Sequence, residues 1–272
     1  AWIAFREDGS VNSPIVKFFT DEEMAAFIKD EPGAERFFRK WLGSREFLHN
    51  APRWVLWLGE ATFSDLKGLP RCRERIEAVR EYRLASKRSQ TKKAADRPQH
   101  FGTEIIPRDT SIVIPEVSSE RRKYIPMGFI GPETLCSNLV RLIPNATLYH
   151  FGILHSQFHN AWMRTVAGRL KSDYRYSGGV VYNNFVWPDP TDAQKAEIER
   201  CAQAVLDARS NQDGATLADM YDPDNETFFP DLMRAHRALD SAVEAAYGVD
   251  FKGDEERIVA HLFKLYAEKV GE

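Results

Sequence analysis

The sequence predicts an α+β fold in which a mixed α/β domain of short strands and helices is followed by an all-helical C-terminal module. Short β-rich pieces separated by Pro and Gly fill positions 104–150, whereas helical periodicity dominates the residues before them. After the junction Trp187-Pro-Asp-Pro190 the chain becomes acidic and its pattern is helical throughout. We therefore divide the chain into an N-terminal connector at 1–44, the mixed domain at 45–187 and the helical module at 188–272.

The N-terminal part is predicted to be mainly helical. Asp21 can cap a helical stretch that Pro32-Gly33 interrupts and that an apolar stripe extends to Leu42. A strand is expected at 54–58. Pro70 begins the longest helical pattern, which runs to about residue 100 and carries ten basic and four acidic side chains. Such a charge run is either a solvated helix face or a surface that attracts a polyanion.

The middle of the chain alternates short strands with turns, and the tail is helical. Strands are predicted at 110–115, 124–130, 139–143, 147–151 and 180–187, with a helix at 154–170. Helices of the tail are predicted at 191–209, 228–247 and 255–270, the first capped by Thr191 or Asp192.

Composition indicates a globular protein of the cytoplasm. Of the 272 residues, 43% are hydrophobic, and no run approaches the roughly 20 apolar residues that a membrane-spanning helix needs. The N-terminus lacks the pattern of a signal peptide. Cys72, Cys136 and Cys201 are far apart and odd in number, so we predict buried thiols without a disulfide framework or a Cys-x-x-Cys metal site.

The net charge of −3 conceals two halves of opposite character. Residues 188–272 contain 9 Lys and Arg against 19 Asp and Glu, whereas residues 1–187 contain 28 against 21. A basic body with an acidic appendage is expected of a protein that contacts a polyanion with one part and keeps the other away from it.

The common catalytic motifs are missing from the sequence. It has no Gly-rich phosphate loop, no Gly-x-Ser-x-Gly elbow and no His-Glu-x-x-His motif. His155 and His159 are spaced to share a helix face, and without a third ligand nearby we expect packing or hydrogen bonding rather than zinc. Nothing in the spacing of Glu104, Glu116 and Glu120 requires an acid/base or Mg²⁺ site. We therefore predict that this segment alone is not catalytic and holds neither metal nor cofactor.

Two polar segments carry the groups that contact nucleic acids. Ser118-Ser-Glu-Arg-Arg-Lys-Tyr124 places three consecutive cations among hydroxyls, which suits phosphate contact and also suits an ordinary surface loop. If 171–176 is extended, Lys171, Asp173 and Arg175 share one face as donor, acceptor and donor. Lys171 and Asp173 can then contact both bases of one G·C pair, or they form a salt bridge with each other.

Many ordered motifs together resemble the C-terminal half of MmeI-like DNA methyltransferases, the type IIG/IIL restriction-modification enzymes. They are Arg53-Trp-Val-Leu-Trp-Leu58, Arg83-Leu-Ala-Ser-Lys-Arg88, Ser118 to Phe129, Pro144-Asn-Ala, His150-Phe-Gly-Ile-Leu154, His159 to Arg164, Gly168 to Ser177, Val181-Tyr-Asn-Asn-Phe185, Trp187-Pro, Thr216 to Pro223 and Ala235 to Asp240. The likeness extends from about residue 35 to the end of the chain.

The resemblance implies that 45–187 is a DNA target recognition domain and that 188–272 is the family's helical tail. In that family one chain also carries an adenine-N6 methyltransferase that uses S-adenosylmethionine, usually with an N-terminal endonuclease. The Asn-Pro-Pro-Tyr type motif and the Gly-rich S-adenosylmethionine loop of that enzyme are missing here. We therefore expect a piece of a longer chain rather than a truncated relic, with Mg²⁺ needed only if the parent has an endonuclease.

The resemblance also sharpens the assignment of residues to DNA. Relatives carry either Lys-x-Asp or the charge-reversed Glu-x-Arg at 171 and 173, which favours direct base reading by Lys171 and Asp173, with Arg175 beside them. The residues expected to contact the DNA backbone are Arg83, Lys87, Arg88, Lys92, Lys93, Ser118, Ser119, Arg121, Arg122, Lys123, Tyr124, Arg164 and Arg169.

Two other functions remain open from the sequence. One is a specificity or scaffold module that binds an acidic protein partner and contacts DNA only within a complex. The other is an independent hydrolase or nuclease that uses the carboxylates at 104–120. Base preference separates the first from a DNA-reading segment, because strong salt dependence fits both.

Overall fold

The computed structural model describes residues 18–102 and 104–271 and confirms the α+β fold. Its helices are α1 Asp21–Asp30, α2 Ser44–Leu48, α3 Phe63–Lys67, α4 Pro70–Leu84, α5 Ser89–Lys93, α6 Leu148–Leu154, α7 Gln157–Val166, α8 Asp192–Ser210, α9 Leu217–Met220, α10 Pro230–Ala246 and α11 Glu255–Val270. Its strands are β1 Phe38–Leu42, β2 Arg53–Leu56, β3 Ser111–Pro115, β4 Val117–Ser118, β5 Gly128–Ile130, β6 Thr134–Cys136, β7 Val140–Pro144, β8 Gly168–Leu170 and β9 Asp173–Arg175. Short 3₁₀ helices lie at Pro32–Phe37, Ala94–Asp96 and Pro223–Phe228.

Packing divides the chain into two compact units that interleave along the sequence. The first comprises the described residues of Ala1–Leu42, Pro52–Ile106 and Glu133–Asn138, and the second comprises those of Gly43–Ala51, Pro107–Pro132 and Leu139–Glu272. The helical tail and most of the mixed domain therefore belong to the same unit.

The first unit is built on a three-stranded sheet in the order β2-β1-β6, with β1 antiparallel to β2 and parallel to β6. Phe19, Phe27 and Phe38 pack edge to face in its core. The helical stretch expected up to Leu42 is wrong in its second part, because Phe38–Leu42 is the central strand of this sheet. Its apolar spacing fits a helix, and pairing with the distant β6 overrides that local pattern.

The long helix expected from Pro70 to about residue 100 is also wrong in its second part. α4 ends at Leu84, and the shorter α5 and a 3₁₀ turn follow it. The chain turns back on itself after α4, and the contacts of Arg83 explain why. Its buried guanidinium donates to the carbonyl oxygens of Ala94 at 2.7 Å, Arg97 at 2.9 Å and His100 at 2.6 Å.

The second unit contains two antiparallel sheets, in the orders β5-β3-β7 and β4-β9-β8. Every residue of β3 is buried, so this strand lies within the core. The strand at 110–115 and the strand at 139–143 are confirmed within one residue, and the strand at 124–130 is reduced to its last three residues. The strand β6 has no counterpart among the predictions.

Two predicted strands of this unit do not form. Residues predicted as a strand at 147–151 begin α6, whose first turn is capped by Thr147 and His150. Gly152 lets α6 lie close to α8, because a Cβ there would meet Cγ2 of Ile198 at 2.6 Å. The strand predicted at 180–187 starts instead in a π-helical turn at Gly178–Tyr182, where the Ser177 hydroxyl accepts a hydrogen bond from the Val180 N–H. The helix predicted at 154–170 ends at Val166, before β8.

The three long helices of the tail are confirmed. Thr191 caps α8 through a capping box with Gln194, and α11 has the predicted bounds. Buried Ile198 and Leu239 belong to the same apolar core as Phe151 of α6. The cysteines are free and buried, as predicted. In the described part of the chain, no helix is long and apolar enough to cross a membrane.

Candidate nucleic-acid interface

The segment expected to read bases is a β-hairpin. The condition for a shared face, an extended conformation over 171–176, holds only from Asp173 onward, because Lys171 and Ser172 form the two-residue turn between β8 and β9. Lys171 has a φ of 57°, in the left-handed region, so it cannot continue a strand. Lys171 therefore lies at the hairpin tip, while Asp173 and Arg175 still alternate with Tyr174 along β9.

The register gives the hairpin one open face and one packed face. Leu170 pairs with Asp173, and Gly168 pairs with Arg175, so the side chains of Leu170, Asp173 and Arg175 share a face. On the other face Tyr174 is buried, and the Arg169 guanidinium lies 3.8 Å from the centre of its ring. Leu170 is 52% exposed. The open face therefore presents the apolar side chain of Leu170, the carboxylate of Asp173 and the guanidinium of Arg175. Lys171 is exposed at the tip of the hairpin.

Glu116 orients Arg175 on this face. Its buried carboxylate accepts from Arg175 Nε at 2.7 Å and from Arg141 Nη2 at 2.8 Å. The Arg175 side chain remains 58% exposed, so a directed guanidinium faces solvent. No local pattern in the sequence distinguishes Glu116 from the other carboxylates, since its partners lie 25 and 59 positions away.

The cationic segment 119–123 lies beside the hairpin. Asp173 Oδ1 accepts from the Glu120 backbone N–H at 3.4 Å, and Arg169 forms an ion pair with Glu120 at 3.3 Å. Burial lowers the pKa of Arg122, while the nearby carboxylates of Asp222 and Asp173 act in the opposite direction. Positive and negative side chains are therefore mixed on both the hairpin and the segment.

The remaining residues predicted to contact the DNA backbone in this unit have different surroundings. Ser118 and Tyr124 are buried, so the structure does not support phosphate contact by their side chains. Arg121 is paired with Asp224 at 2.6 Å, and Arg164 with Glu255 at 2.7 Å. Ser119 is half-buried, and Lys123 is exposed with its Nζ 5.3 Å from the centre of the Tyr124 ring.

In the first unit, the predicted backbone contacts lie around the short α5. The prediction of a phosphate contact by Arg83 is wrong, because its guanidinium is buried and donates to three carbonyl oxygens. Lys87, Arg88, Lys92 and Lys93 are exposed. Their side chains keep this surface positive.

His155 and His159 are each held by hydrogen bonds inside the core. Among the described residues, no group of three or more His, Cys, Asp or Glu could hold a metal ion. His155 contacts Arg209 and Tyr221, and His159 contacts the Tyr176 hydroxyl at 2.9 Å. Burial lowers the pKa of His159 to about 3. Both histidines therefore serve packing and hydrogen bonding, as predicted.

Comparison with known proteins places these features in one family of sequences. The family model described as the MmeI target recognition domain matches residues 15–189, and that described as the MmeI C-terminal domain matches residues 190–272. The chain is similar to DNA methyltransferase A of Bacillus subtilis strain 168, with 43% identity over 251 residues that cover 92% of this chain and 28% of that protein.

A solved structure gives the same relationship. The chain is similar to the type IIL restriction-modification enzyme MmeI in complex with DNA, with a TM-score of 0.87 and 41% identity. The match covers 94% of this chain and 34% of that chain. The chain thus spans about a third of the length of the relatives that it matches.

Proposed function

The chain belongs to the MmeI family, as its target recognition and C-terminal domains establish, and from this membership we propose that it recognises a specific sequence in double-stranded DNA. The observation that carries the proposal is the open face of the β8–β9 hairpin, with Lys171 at its tip. A two-stranded ribbon of this kind fits the major groove of B-DNA, where each base pair presents a distinct pattern of donors and acceptors.

Lys171 and Asp173 are the proposed reading pair. The Lys171 ammonium can donate to guanine O6 or N7, and the Asp173 carboxylate can accept from the cytosine N4 amino group. Arg175, directed by Glu116, can donate to a neighbouring base. Leu170 on the same face can contact the methyl group of a thymine. Each group thus matches a different feature of the groove.

Phosphate contacts are proposed to supply most of the affinity without choosing the sequence. In the second unit the exposed cations beside the hairpin are Arg121, Lys123 and Arg169, and Arg122 between them is half-buried. The exposed residues Lys87, Arg88, Lys92 and Lys93 form a separate positive surface of the first unit, which we also propose for DNA backbone contact.

We further propose that the segment serves a methyltransferase domain of a longer chain. That domain would use S-adenosylmethionine and modify the exocyclic N6 amine of an adenine, which must be flipped out of the duplex to be reached. An endonuclease in the same chain would add a requirement for Mg²⁺. The hairpin would set which adenine is presented, and the segment itself would supply no catalytic group.

A selection from a randomised duplex pool at moderate salt tests the proposal. The wild-type chain should enrich a motif that contains an invariant G·C pair. Binding without any enriched motif would favour the alternative, a protein-interaction module that contacts DNA only within a complex. Cleavage of plasmid in the presence of Mg²⁺ by this chain alone would instead support a nuclease.

A further inference from the structure

We infer that Asp240 of helix α10 is a positioning residue for DNA binding, because it holds the cationic segment 119–123 in place through Tyr124. The inference rests on the proposed function, and it gives the acidic helical tail a role in ordering a DNA-contacting segment. Nothing in the sequence motifs assigned such a role to Asp240, which lies 116 positions from Tyr124.

The contact between Tyr124 and Asp240 is part of a packed polar cluster. The Tyr124 hydroxyl donates to Asp240 Oδ2 at 2.6 Å. The Tyr124 ring is 2% exposed and stacks on His236, with 4.1 Å between ring centres. Burial of the ring keeps the Tyr124 hydroxyl next to the Asp240 carboxylate, away from competing water.

Asp240 fastens a second element at the same time. Its Oδ1 atom accepts from the backbone N–H of Gln157, the first residue of α7, at 2.7 Å. Ser156 precedes that helix without a capping hydrogen bond from its own side chain, so Asp240 provides the acceptor from another helix. A carboxylate at a helix N-terminus is electrostatically favourable. Asp240 thus ties Tyr124 to a rigid position on α7.

The residues on either side of Tyr124 are held in the same way. The Ile125 N–H donates to Asn160 Oδ1 at 2.8 Å, and the Lys123 carbonyl accepts from Arg164 at 2.7 Å. The Arg164 guanidinium in turn donates to both carboxylate oxygens of Glu255, at 2.8 and 2.7 Å. Three successive residues are therefore fixed by side chains of α7 and α10, and Glu255 of α11 holds Arg164 in turn.

The segment 119–123 is consequently held at both ends. One end continues from β4, which pairs with β9 of the reading hairpin. The other end is fixed at Tyr124. Between them, the N–H groups of Arg121 and Arg122 bond within the segment, to the hydroxyl and the carbonyl oxygen of Ser119 at 3.3 and 3.1 Å. Because a loop ordered in advance loses less entropy on binding, this fixation should strengthen phosphate contact by Arg122 and Lys123.

The variant Tyr124→Phe tests the inference with little disturbance of the core. It removes the hydroxyl, keeps the ring on His236 and leaves Asp240 as the acceptor for Gln157. Asp240→Asn is the conservative variant, since its side chain can still bond both partners. Asp231→Asn is the matched control, because Asp231 lies on the same helix and is exposed, with its ion pair to Arg234.

The first readout is hydrogen exchange of the backbone amides in the full chain. In Tyr124→Phe the amides of 119–123 should exchange about tenfold faster than in the wild type, and those of α8 should not change. Asp240→Asn and Asp231→Asn should stay close to the wild type. Unchanged exchange at 119–123 in Tyr124→Phe would overturn the inference without any measurement of DNA binding.

The second readout is affinity for duplex DNA over a range of salt concentrations. Tyr124→Phe should bind every duplex about tenfold more weakly, with a salt slope reduced by about one phosphate contact. A merely structural role would lower the melting temperature and leave the slope unchanged. A wild-type chain that bound no duplex would overturn the proposed function. Normal binding by Tyr124→Phe beside a binding wild type would overturn only the role of Asp240.

Discussion

The buried carboxylate of Glu116 accepts a hydrogen bond from Nε of Arg175 at 2.7 Å. Arg175 remains 58% exposed, so an internal anion sets the direction of a cation on the surface. Arg141 occupies the other carboxylate oxygen at 2.8 Å and keeps Glu116 from turning. Such support by a second residue is what a base-reading side chain needs to hold one geometry.

Glu116→Gln should weaken discrimination at the base pair that Arg175 contacts. Glutamine keeps the size of the side chain but accepts through one oxygen only, so Arg175 loses its charged partner. We expect a loss of about 1 kcal/mol in the preference for that base pair, with little change in non-specific binding. Competition binding with single base-pair substitutions measures this. Glu120→Gln is the control, and an equal loss in both variants would refute the role of Glu116.

Arg122→Ala should weaken binding to all duplexes alike. Its charge is proposed to contact a phosphate, and removing such a contact lowers the salt slope by about 1. Titrations at several salt concentrations, with preferred and scrambled duplexes, give both quantities. A loss confined to one duplex sequence would show that Arg122 reads bases instead.

Gly152→Ala should destabilise the second unit. The added Cβ would lie 2.6 Å from Cγ2 of Ile198, so α6 and α8 would have to separate. Overpacking of this kind costs about 1–3 kcal/mol, which exceeds the gain of about 1 kcal/mol from helix propensity. Urea unfolding measures the difference. Gly68→Ala, where a Cβ would meet nothing within 4 Å, is the control and should leave the unfolding free energy nearly unchanged.

The buried histidines should make stability depend on pH below about 6.5. Burial lowers the pKa of His155 and His236 well below the ordinary value of 6.5, and that of His159 to about 3. The unfolded chain therefore takes up protons that the folded chain excludes, and the free energy of unfolding falls as the pH falls from 6.5 toward the folded values.

The magnitude can be checked one residue at a time. Each histidine should contribute a loss of about 1 kcal/mol between pH 6.5 and 5.5. His159→Gln should remove its share of this dependence, which urea unfolding at the two pH values measures. The exposed His49→Gln is the matched control. Equal pH dependence of the unfolding free energy in the wild type and His159→Gln would show that buried His159 does not contribute to it.

Local signals predicted the helices of the tail well. The Thr191 cap of α8 and the periodic apolar positions of α11 are properties of a few neighbouring residues, so the sequence alone defined these helices. The strands were less predictable. Phe38–Leu42 becomes a strand because β6, far along the chain, pairs with it, and Leu148–Leu154 becomes a helix because it packs on α8.

The site shows the same limit. Composition and motifs made Lys171, Asp173 and Arg175 the candidates for base reading, yet the period of two could not reveal that Lys171 lies in a turn. The burial of Arg83 was equally hidden, because its partners come from a chain reversal after α4. Side chains that position others, such as Glu116 and Asp240, depend on contacts between distant segments and leave no local pattern.

The most direct test of base reading exchanges the charges of Lys171 and Asp173. The double variant Lys171→Glu/Asp173→Arg should be compared with the wild type on duplexes that carry G·C or C·G at the pair enriched by selection. If Lys171 and Asp173 read the bases, the preference should reverse, by about 1–3 kcal/mol in each direction, while non-specific affinity stays within a factor of about three. Loss of binding to both duplexes equally, or an unchanged preference for G·C, would contradict base reading by Lys171 and Asp173.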